Sequence, residues 1–378
     1  MDISYLSSFD ARDITSYSGT GYYIPKKLEE CGDKVSYIGN LRNINPPYQK
    51  IKQKVYSLLG KNYLIERNPN ILSLWASNIK KAMNPDTQVL LSYSSQPFAK
   101  LNSNKPMVFW TDAVFANMVD YYEVYSNLCR ESVKHGNQME YESIHNVTRA
   151  VYSSDWAANA AIKYYGASPE KIRVVPYGAN IDVNYTIQDI QDRANRKSFE
   201  QCKLLFLGVE WFRKGGDIAV KVAGILNREG IKTQLSIVGV DPDEEVKNLD
   251  YVKCYGFISK STNQGRELLQ NIISESHFLL LPTRADCTPI VYSEMNAHGI
   301  PVITTNEGGI PSVIIDGVNG YMLDKESSTE LFAKSIADIF TKRYRYIELS
   351  KSSFNEYKTR LNWDVSMKKF RDIMKEIL

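Results

Sequence analysis

One stretch late in the chain restricts the fold more than any other. The apolar run 278–282 is short enough for a buried strand, Pro289 suits the first turn of a helix, and His298–Gly299 is typical of a helix end. A second apolar run, Val302–Thr305, follows Pro301 directly. Strand, loop, helix and strand in this order predict a parallel α/β sheet, in which the loops at the carboxyl ends of the strands bind ligands.

The same alternation of short apolar runs and amphipathic stretches recurs along the whole chain. The predicted strands of the first half are 3–7, 34–38, 88–92, 107–110, 150–153 and 172–175, and those of the second half are 203–207, 234–238, 252–255, 277–281 and 302–305. The polar run 189–200 is typical of an exposed linker. We therefore predict two doubly wound domains, with bounds 1–185 for the first, 186–200 for the linker, 201–361 for the second and 362–378 for a last helical segment.

Composition argues against several classes of function. A net charge of +3 with 24% charged residues gives no overall case for binding nucleic acid. The five cysteines lack paired spacing and the four histidines stand apart, so neither a disulfide framework nor a metal site is predicted. The amino terminus lacks the pattern of a secretory signal, and no window reaches about 18 apolar residues. The expected location is the cytoplasm.

Two acidic residues flank the start of the predicted helix. Asp286 lies in the loop before it, and Glu294 lies on the helix with seven residues between them. A helix that begins near Pro289 directs free backbone amides toward the ends of the strands, where phosphorylated ligands bind. This segment is therefore predicted to bind a nucleotide. The predicted substrate-binding residues at this helix start are Thr288, Pro289, Ile290 and Val291.

A second candidate phosphate-binding element follows the strand 203–207. The segment 208–216 contains Arg213 and Lys214 among glycines, between a strand and a helix. Two cations beside glycine backbone can bind the negative charges of a phosphate or diphosphate group. A solvated basic turn is the alternative interpretation.

Together these motifs resemble glycosyltransferase family 4. Asp286 and Glu294, with Gly299-Ile-Pro301, Gly308-Gly309-Ile-Pro311 and Asp316–Gly320, look like the Glu-x7-Glu region of retaining glycosyltransferases. The resemblance implies the GT-B fold, with two facing Rossmann-like domains, a deep cleft between them and a last helix that packs back on the first domain. It also implies a nucleotide sugar as the donor.

The resemblance assigns roles to individual residues. It implies that Glu294 holds the ribose hydroxyls, that Asp286 contacts the donor sugar and that Lys214 stabilises the diphosphate. Many relatives carry an Arg directly after the first glycine, where this chain has Val209, and we infer that Arg213 substitutes for it.

Three further elements fit the same resemblance. Gly19, Thr20 and Gly21 look like the loop that approaches the donor phosphates and the acceptor, with an ordinary tight turn as the alternative. Asp112 falls where many relatives carry a His that touches the donor sugar. A helix N-cap is the other interpretation of Asp112, and the two are compatible.

The remaining element of this set is the loop 256–259, which resembles the loop that lays its backbone against the base. Phe257 and Ile258 are thus candidate base-binding residues, and burial in the core is the alternative for both.

The segment 48–83 combines lysines with apolar residues at helical spacing. Such a helix can dock on an anionic membrane or a lipid-linked acceptor, so contact with the inner face of the membrane is one interpretation. The other is a helix that packs its apolar face inward and leaves its lysines in water.

The resemblance thus implies a retaining, metal-independent glycosyltransferase of the hexosyltransferase type, without a cofactor. The co-substrate is a nucleoside diphosphate sugar of the UDP or GDP type, and the acceptor is a hydroxyl group on a glycan or a lipid-linked molecule. Synthesis of polysaccharide, lipopolysaccharide or glycolipid is the expected setting. The departures at Val209, Asp112 and Asp286 motivate an alternative, a non-catalytic nucleotide-sugar-binding protein, and a GT-B epimerase or phosphorylase is a weaker one.

Overall fold

The structure, a computed structural model, describes residues 1–260 and 262–378 and divides into two compact units. The first unit comprises Met1–Asn180 and Trp363–Leu378, and the second comprises Ile181–Asn362. Each unit contains one six-stranded sheet whose paired strands are all parallel. The predicted pair of Rossmann-like α/β domains is confirmed.

The sheet of the first unit has the strand order β2-β1-β3-β4-β5-β6. Its strands are β1 (Asp2–Leu6), β2 (Lys34–Ile38), β3 (Val89–Ser92), β4 (Met107–Thr111), β5 (Arg149–Tyr152) and β6 (Ile172–Val174). Its helices up to Asn180 are α1 (Thr20–Glu30), α2 (Pro47–Leu58), α3 (Pro69–Ala82), α4 (Phe115–Met118), α5 (Arg130–Asn146) and α6 (Asp155–Tyr165). Every residue of β3 and β4 is buried, as expected for central strands of a parallel sheet. Strand order reverses between β1 and β3, which makes their carboxyl ends the switch point where such sheets bind ligands.

The second unit has the strand order β12-β11-β10-β7-β8-β9. Its strands are β7 (Cys202–Leu207), β8 (Thr233–Val238), β9 (Val252–Gly256), β10 (Phe278–Leu281), β11 (Val302–Thr305) and β12 (Gly320–Leu323). Its helices are α7 (Ile187–Arg196), α8 (Gly216–Arg228), α9 (Glu244–Lys247), α10 (Asn263–Glu275), α11 (Ile290–Ala297), α12 (Thr329–Phe340) and α13 (Arg343–Thr359). The switch point of this sheet lies between β7 and β10.

The chain returns to the first unit in the helix α14 (Trp363–Lys375). The Trp363 ring stacks on Tyr23 with 6.1 Å between ring centroids, and its indole N–H donates to Asn180 Oδ1 at 2.9 Å. A Cβ atom at Gly178 would lie 2.3 Å from the Trp363 backbone nitrogen, so only glycine fits there. The segment 176–180 is thus shaped to receive the last helix.

The predicted exposed linker over 186–200 differs from the structure. Residues Ile187–Arg196 form α7, whose start is fixed by a capping box between Thr186 and Asp189. Ile190 and Ala194, four residues apart, are buried in the second unit. Composition alone did not indicate this helix, because two buried apolar residues are enough to pack it. The second unit begins at Ile181.

The amphipathic segment 48–83 divides into two helices with opposite behaviour. The apolar residues of α3 that face the core are Ile71, Leu72, Trp75, Ala76 and Ile79, all buried. The apolar residues of α2 and its end are exposed, and these are Tyr48, Ile51, Val55, Leu58 and Leu59. Inward packing therefore holds for α3 but not for α2. No helix among residues 1–260 and 262–378 is both long enough and apolar enough to cross a bilayer.

Candidate functional site

Three loops meet at the carboxyl edge of the second sheet, beside its switch point. They follow β11, β10 and β7, which lie side by side in that order in the sheet. The Arg284 backbone N–H donates to Arg213 O at 2.7 Å, and the Gly309 N–H donates to Asp286 O at 3.2 Å. The fold thereby brings the basic segment 208–216 and the acidic loop around Asp286 together, although they are far apart in the sequence.

The cations and the first acid of the predicted site form one cluster. Lys214 Nζ donates to Asp286 Oδ2, and Arg213 Nη1 lies 3.8 Å from the same oxygen. Arg213 also donates to the Ala285 carbonyl at 2.7 Å and to the Glu210 carboxylate. The Lys214 side chain is only 12% exposed, so the alternative of a solvated basic turn does not describe it. The cluster holds two cations, each paired with a carboxylate, at the place where this fold class binds phosphates.

Glycine after Lys214 is a steric requirement of this cluster. Gly215 has φ +76°, and a Cβ atom there would lie 2.1 Å from the Pro282 carbonyl oxygen. The chain must therefore turn in the left-handed region directly beside the loop after β10. This close approach places Lys214 within reach of Asp286.

The helix α11 begins at Ile290, one residue after the predicted start, with Pro289 as its N-cap. Pro289 has no side chain that could cap this end, and the first backbone amides of the helix, including those of Ile290 and Val291, lie at the end of α11 that follows the Asp286 loop. Thr288 Oγ1 donates to the Cys287 carbonyl at 2.7 Å. A helix start of this kind can bind an anion.

Glu294 projects from α11 and is 7% exposed. Both of its carboxylate oxygens accept hydrogen bonds from Lys260 Nζ at 3.2 Å. Sequence reasoning missed Lys260, because it lies in the loop after β9 and only the strand order brings that loop to α11. The Lys260 side chain is 53% exposed, so a ribose can displace it from Glu294 at small cost.

The two candidate base-binding residues differ in environment. Phe257 is 77% exposed, whereas Ile258 packs partly buried against the core of the second unit. The core interpretation therefore fits Ile258 and is wrong for Phe257. An exposed ring directly after β9 is available for stacking on a planar ligand.

The remaining sequence-predicted residues lie in the first unit. Gly19 has φ +83° and immediately precedes α1, where Thr20 is buried, and a Cβ atom at Gly21 would approach the Phe9 ring to 2.6 Å. Asp112 follows β4 and accepts a 2.5 Å hydrogen bond from the Tyr17 hydroxyl. It is not an N-cap, because α4 starts at Phe115 after Val114.

The loop before Gly19 is held by an amide that sequence reasoning did not single out. Tyr17 and Ser18 both have φ 53°, an unusual conformation for residues with side chains. Asn180 Nδ2 donates to the Ser18 carbonyl at 2.7 Å, while Asn180 Oδ1 accepts the Trp363 indole N–H. Asn180 therefore ties the glycine-containing loop to the last helix.

Two of the histidines are buried outside these clusters, and Asp241 forms an exposed ion pair. Burial lowers the pKa of His277 to about 3 and that of His298 to about 4, so both rings are neutral at pH 7. Asp241 is an exposed ion-pair partner of Lys247 at 2.9 Å, next to α9. Within the described ranges, no three His, Cys, Asp or Glu side chains gather into a group that could hold a metal ion.

Residues 201–342, which contain every site residue named in the second unit, match the sequence model of the family described as Glycosyl transferases group 1. A curated relative, D-inositol 3-phosphate glycosyltransferase from Paenarthrobacter aurescens, is 26% identical over 211 residues, which are 53% of this chain and 51% of the relative. The chain spans about half the length of these curated relatives.

Solved structures resemble the chain over its full length. Sucrose-phosphate synthase from Thermosynechococcus elongatus matches with a TM-score of 0.70 at 15% identity, covering 100% of this chain and 99% of that one. HepE from Anabaena, solved in complex with UDP, matches with a TM-score of 0.65 at 12% identity, covering 100% of both. At such identities the likeness establishes the fold. The chain thus has the GT-B fold, and the part of its second unit from residue 201 to residue 342 is similar to the family Glycosyl transferases group 1.

Proposed function

We propose that this chain is a retaining glycosyltransferase that moves a sugar from a nucleoside diphosphate sugar to a hydroxyl acceptor. The observation that carries the proposal is the cluster of Lys214, Arg213 and Asp286 at the switch point, in the loops that precede α8 and α11. It lies within the segment that matches Glycosyl transferases group 1. Because HepE was solved in complex with UDP, UDP comes first among the nucleotides to test.

The chemistry follows from where charge develops. As the bond between the sugar C1 and the diphosphate oxygen breaks, its electron pair passes to the diphosphate, and Lys214, Arg213 and the α11 amides stabilise the added charge. The acceptor oxygen forms its bond to C1 on the same face, and its proton passes to the departing phosphate oxygen. Two side-chain cations supply the charge that a divalent ion provides in other transferases, so we propose that transfer is independent of added metal.

The binding roles complete the proposal. Glu294 accepts hydrogen bonds from the ribose hydroxyls after Lys260 leaves it, and the exposed Phe257 ring stacks on the base. The roles of Asp112, Gly19 and Thr20 stay predictions of the family resemblance.

One observation favours a second candidate, a non-catalytic nucleotide-sugar-binding protein. Asp286, the acid that the resemblance assigns to the donor sugar, is already engaged by Lys214. Slow release of UDP from a UDP-sugar without acceptor would support the enzyme. Tight donor binding with no such release and no turnover across many acceptors would support the binding protein.

We expect UDP to stabilise the second unit against heat without added metal. Ligand at about 100 times its Kd adds about 2.7 kcal/mol to the free energy of unfolding, which is visible as a rise in Tm. Glu294→Ala should abolish the rise, because it removes the ribose acceptor. Glu275→Ala, on an exposed carboxylate paired with Lys203 at the opposite end of β7, is the matched control and should keep it. An equal rise in both variants would remove Glu294 from the site.

We also propose that the exposed face of α2 contacts an anionic membrane. Residues 47–62 contain no acidic residue, and Lys50, Lys54 and Lys61 line one depression beside the exposed apolar stripe. Each lysine close to such a surface contributes about 1 kcal/mol, and the stripe inserts its apolar side chains below the headgroups. The charge of the face selects phosphatidylglycerol-type lipids over neutral ones.

This contact predicts cosedimentation with phosphatidylcholine vesicles that contain phosphatidylglycerol. The double variant Ile51→Glu, Leu58→Glu should reduce the bound fraction at least about fivefold, because it places two anions in the apolar stripe. Leu74→Glu, on an exposed position of α3, is the control and should bind like the original chain. Equal binding by the double variant and the original chain would rule out α2 as the docking face.

A further inference from the structure

A cavity of about 540 Å³ lies at the amino edge of the second sheet. Its walls come from the end of α7, the starts of β7 and β8, the end of α10 and the residue before β10. All of the described residues that line it belong to the second unit. The loops of the donor site follow the carboxyl ends of the same sheet. A strand of six residues such as β7 separates the two edges by about 20 Å.

Basic side chains dominate the walls of this cavity. The lining residues with a basic group are Arg193, Arg196, Lys197, Lys203 and Lys232, and those with a carboxylate are Glu200 and Glu275. Even without Lys197, four cations face two carboxylates, which leaves an excess of two positive charges. The whole chain has a net charge of only +3. The cavity therefore concentrates positive charge and attracts anions.

Three of these cations are not neutralised by a carboxylate. In the part of the chain that the structure describes, no carboxylate forms an ion pair with Arg193, Arg196 or Lys232. The Arg193 guanidinium lies over the Tyr185 ring, 3.8 Å from its centroid, a contact that does not use its N–H donors. A planar guanidinium with unused donors matches the oxygens of a phosphate group. The arginines of the cavity are therefore suited to bind phosphate.

Lys197 adds a partly buried amine to the same cavity. Its Nζ donates to the Ser274 carbonyl at 2.6 Å and to the Ser276 carbonyl. Burial, and then the like charges of Lys203 and Arg193, lower the pKa of Lys197 to about 7. A bound anion would counter this repulsion, so the protonated amine and the anion would stabilise each other.

His277 fixes two walls of the cavity without adding charge, since its ring is neutral. Its Nδ1 accepts from the Lys203 backbone N–H at 3.0 Å, and its Nε2 lies 3.0 Å from the Ser198 carbonyl oxygen. Because Nδ1 accepts, the ring proton is on Nε2 and is donated to Ser198. The ring thus joins the segment after α7 to the start of β7.

Stabilisation of a helix end explains only part of the basic cluster. Arg193 and Arg196 lie in the last turn of α7, where cations complement the helix dipole. Lys203 lies on β7 and Lys232 directly precedes β8, so neither belongs to a helix end. The cluster is therefore built by several elements that converge on one cavity.

We infer that this cavity is a binding site for a small phosphorylated ligand of the diphosphate type, separate from the donor site. Arg193 and Arg196 donate to the phosphate oxygens, and Lys203 and Lys232 neutralise the remaining charge. Every described lining residue is charged or polar, so the walls offer no apolar surface for a nucleotide base. The inference goes beyond the proposed function, because it does not require that a sugar is transferred.

Isothermal titration calorimetry with inorganic pyrophosphate, on the full chain without divalent cations, tests the site. The double variant Arg196→Gln, Lys232→Gln should weaken binding at least tenfold, because it removes two exposed cations of the cavity. The control Lys221→Gln, Lys334→Gln removes the same charge from exposed positions of α8 and α12 and should change affinity less than twofold. Equal affinities in the two double variants would overturn the inference.

A variant that gains affinity excludes unfolding as the explanation. Glu275 pairs with Lys203 at 2.8 Å, with 65% of its side chain exposed. Glu275→Gln should tighten pyrophosphate binding at least threefold, because it removes a carboxylate from the wall and leaves Lys203 to the ligand. Glu348→Gln, on a carboxylate of α13 that is 70% exposed and paired with Lys351, is the control and should change nothing. An unchanged affinity in Glu275→Gln would contradict the inference.

Two further arms identify the source of the phosphate and separate this site from the donor site. Binding of phosphatidylglycerol vesicles through Arg196 and Lys232, without binding of pyrophosphate, would overturn the inference in favour of a lipid surface. Saturating UDP should leave the pyrophosphate affinity within twofold, and loss of binding in UDP would place the ligand in the donor site instead.

The outcomes also separate this inference from the proposed function. If UDP raises Tm through Glu294 and pyrophosphate does not bind through Arg196 and Lys232, the donor site stands and this inference is wrong. If pyrophosphate binds through these two residues and no nucleotide raises Tm, the cavity stands and the proposed transfer fails.

Discussion

Lys214→Ala is expected to lower kcat by about a hundredfold or more, measured as release of UDP from a UDP-sugar. Lys214 meets the charge that develops on the leaving group, and removing one such group from a preorganised site costs a factor of this size. Because that charge is larger in the transition state than in the bound donor, KM should change far less than kcat. The ratio of the two effects thus distinguishes a catalytic cation from one that only binds.

Two comparisons make this result specific. Lys221→Ala removes an exposed lysine of α8 in the same unit and should leave kcat unchanged. Asp286→Asn keeps Lys214 but removes its anionic partner, so a large loss of kcat there would show that Asp286 positions the cation or contacts the sugar. A kcat for Lys214→Ala within threefold of the original would remove Lys214 from catalysis.

Glu140→Ala is expected to destabilise the first unit by about 3–5 kcal/mol, the usual cost of stranding one partner of a buried ion pair. Arg67 lies with its guanidinium 5.0 Å from the Phe115 ring and its side chain 3% exposed, so water cannot replace the lost carboxylate. Urea unfolding followed by a signal from the first unit measures the change as a fall in midpoint concentration.

The same helix supplies the control. Glu142 lies two residues along α5 and pairs with Lys100, with about a quarter of each side chain exposed, so Glu142→Ala should cost less than about 1 kcal/mol. The double variant Arg67→Met, Glu140→Met should cost less than Glu140→Ala, because it leaves no buried charge. If Glu140→Ala and Glu142→Ala lower the free energy of unfolding equally, the Arg67–Glu140 pair contributes no more to stability than an exposed ion pair does.

Local patterns were sufficient to predict the elements around the donor site. The apolar run before Asp286, Pro289 at the helix start and Gly299 at its end fix β10, α11 and β11 through short-range effects alone. The contacts within that site could not be predicted from local patterns. Lys214 and Asp286 are 72 residues apart and Lys260 and Glu294 are 34 apart, so only the strand order brings them together.

Two other features depended on burial that composition does not reveal. The segment 187–196 has the polar content of a linker, yet burial of Ile190 and Ala194 is enough to hold it as a helix. Arg67 belongs to a stretch rich in basic residues, and nothing local shows that Glu140, 73 residues away, neutralises it.

The position of Asn180 between the Ser18 loop and Trp363 has a consequence for the order of synthesis. The first unit is interrupted by the whole second unit, so Trp363 and Phe370 leave the ribosome roughly 10–40 s after Asn180 at ordinary elongation rates. During that interval the faces of Tyr23 and Trp110 that these rings later cover stay open to water. The unit that is made first is therefore completed last, and its nascent form offers aromatic surface to chaperones until the final helix arrives.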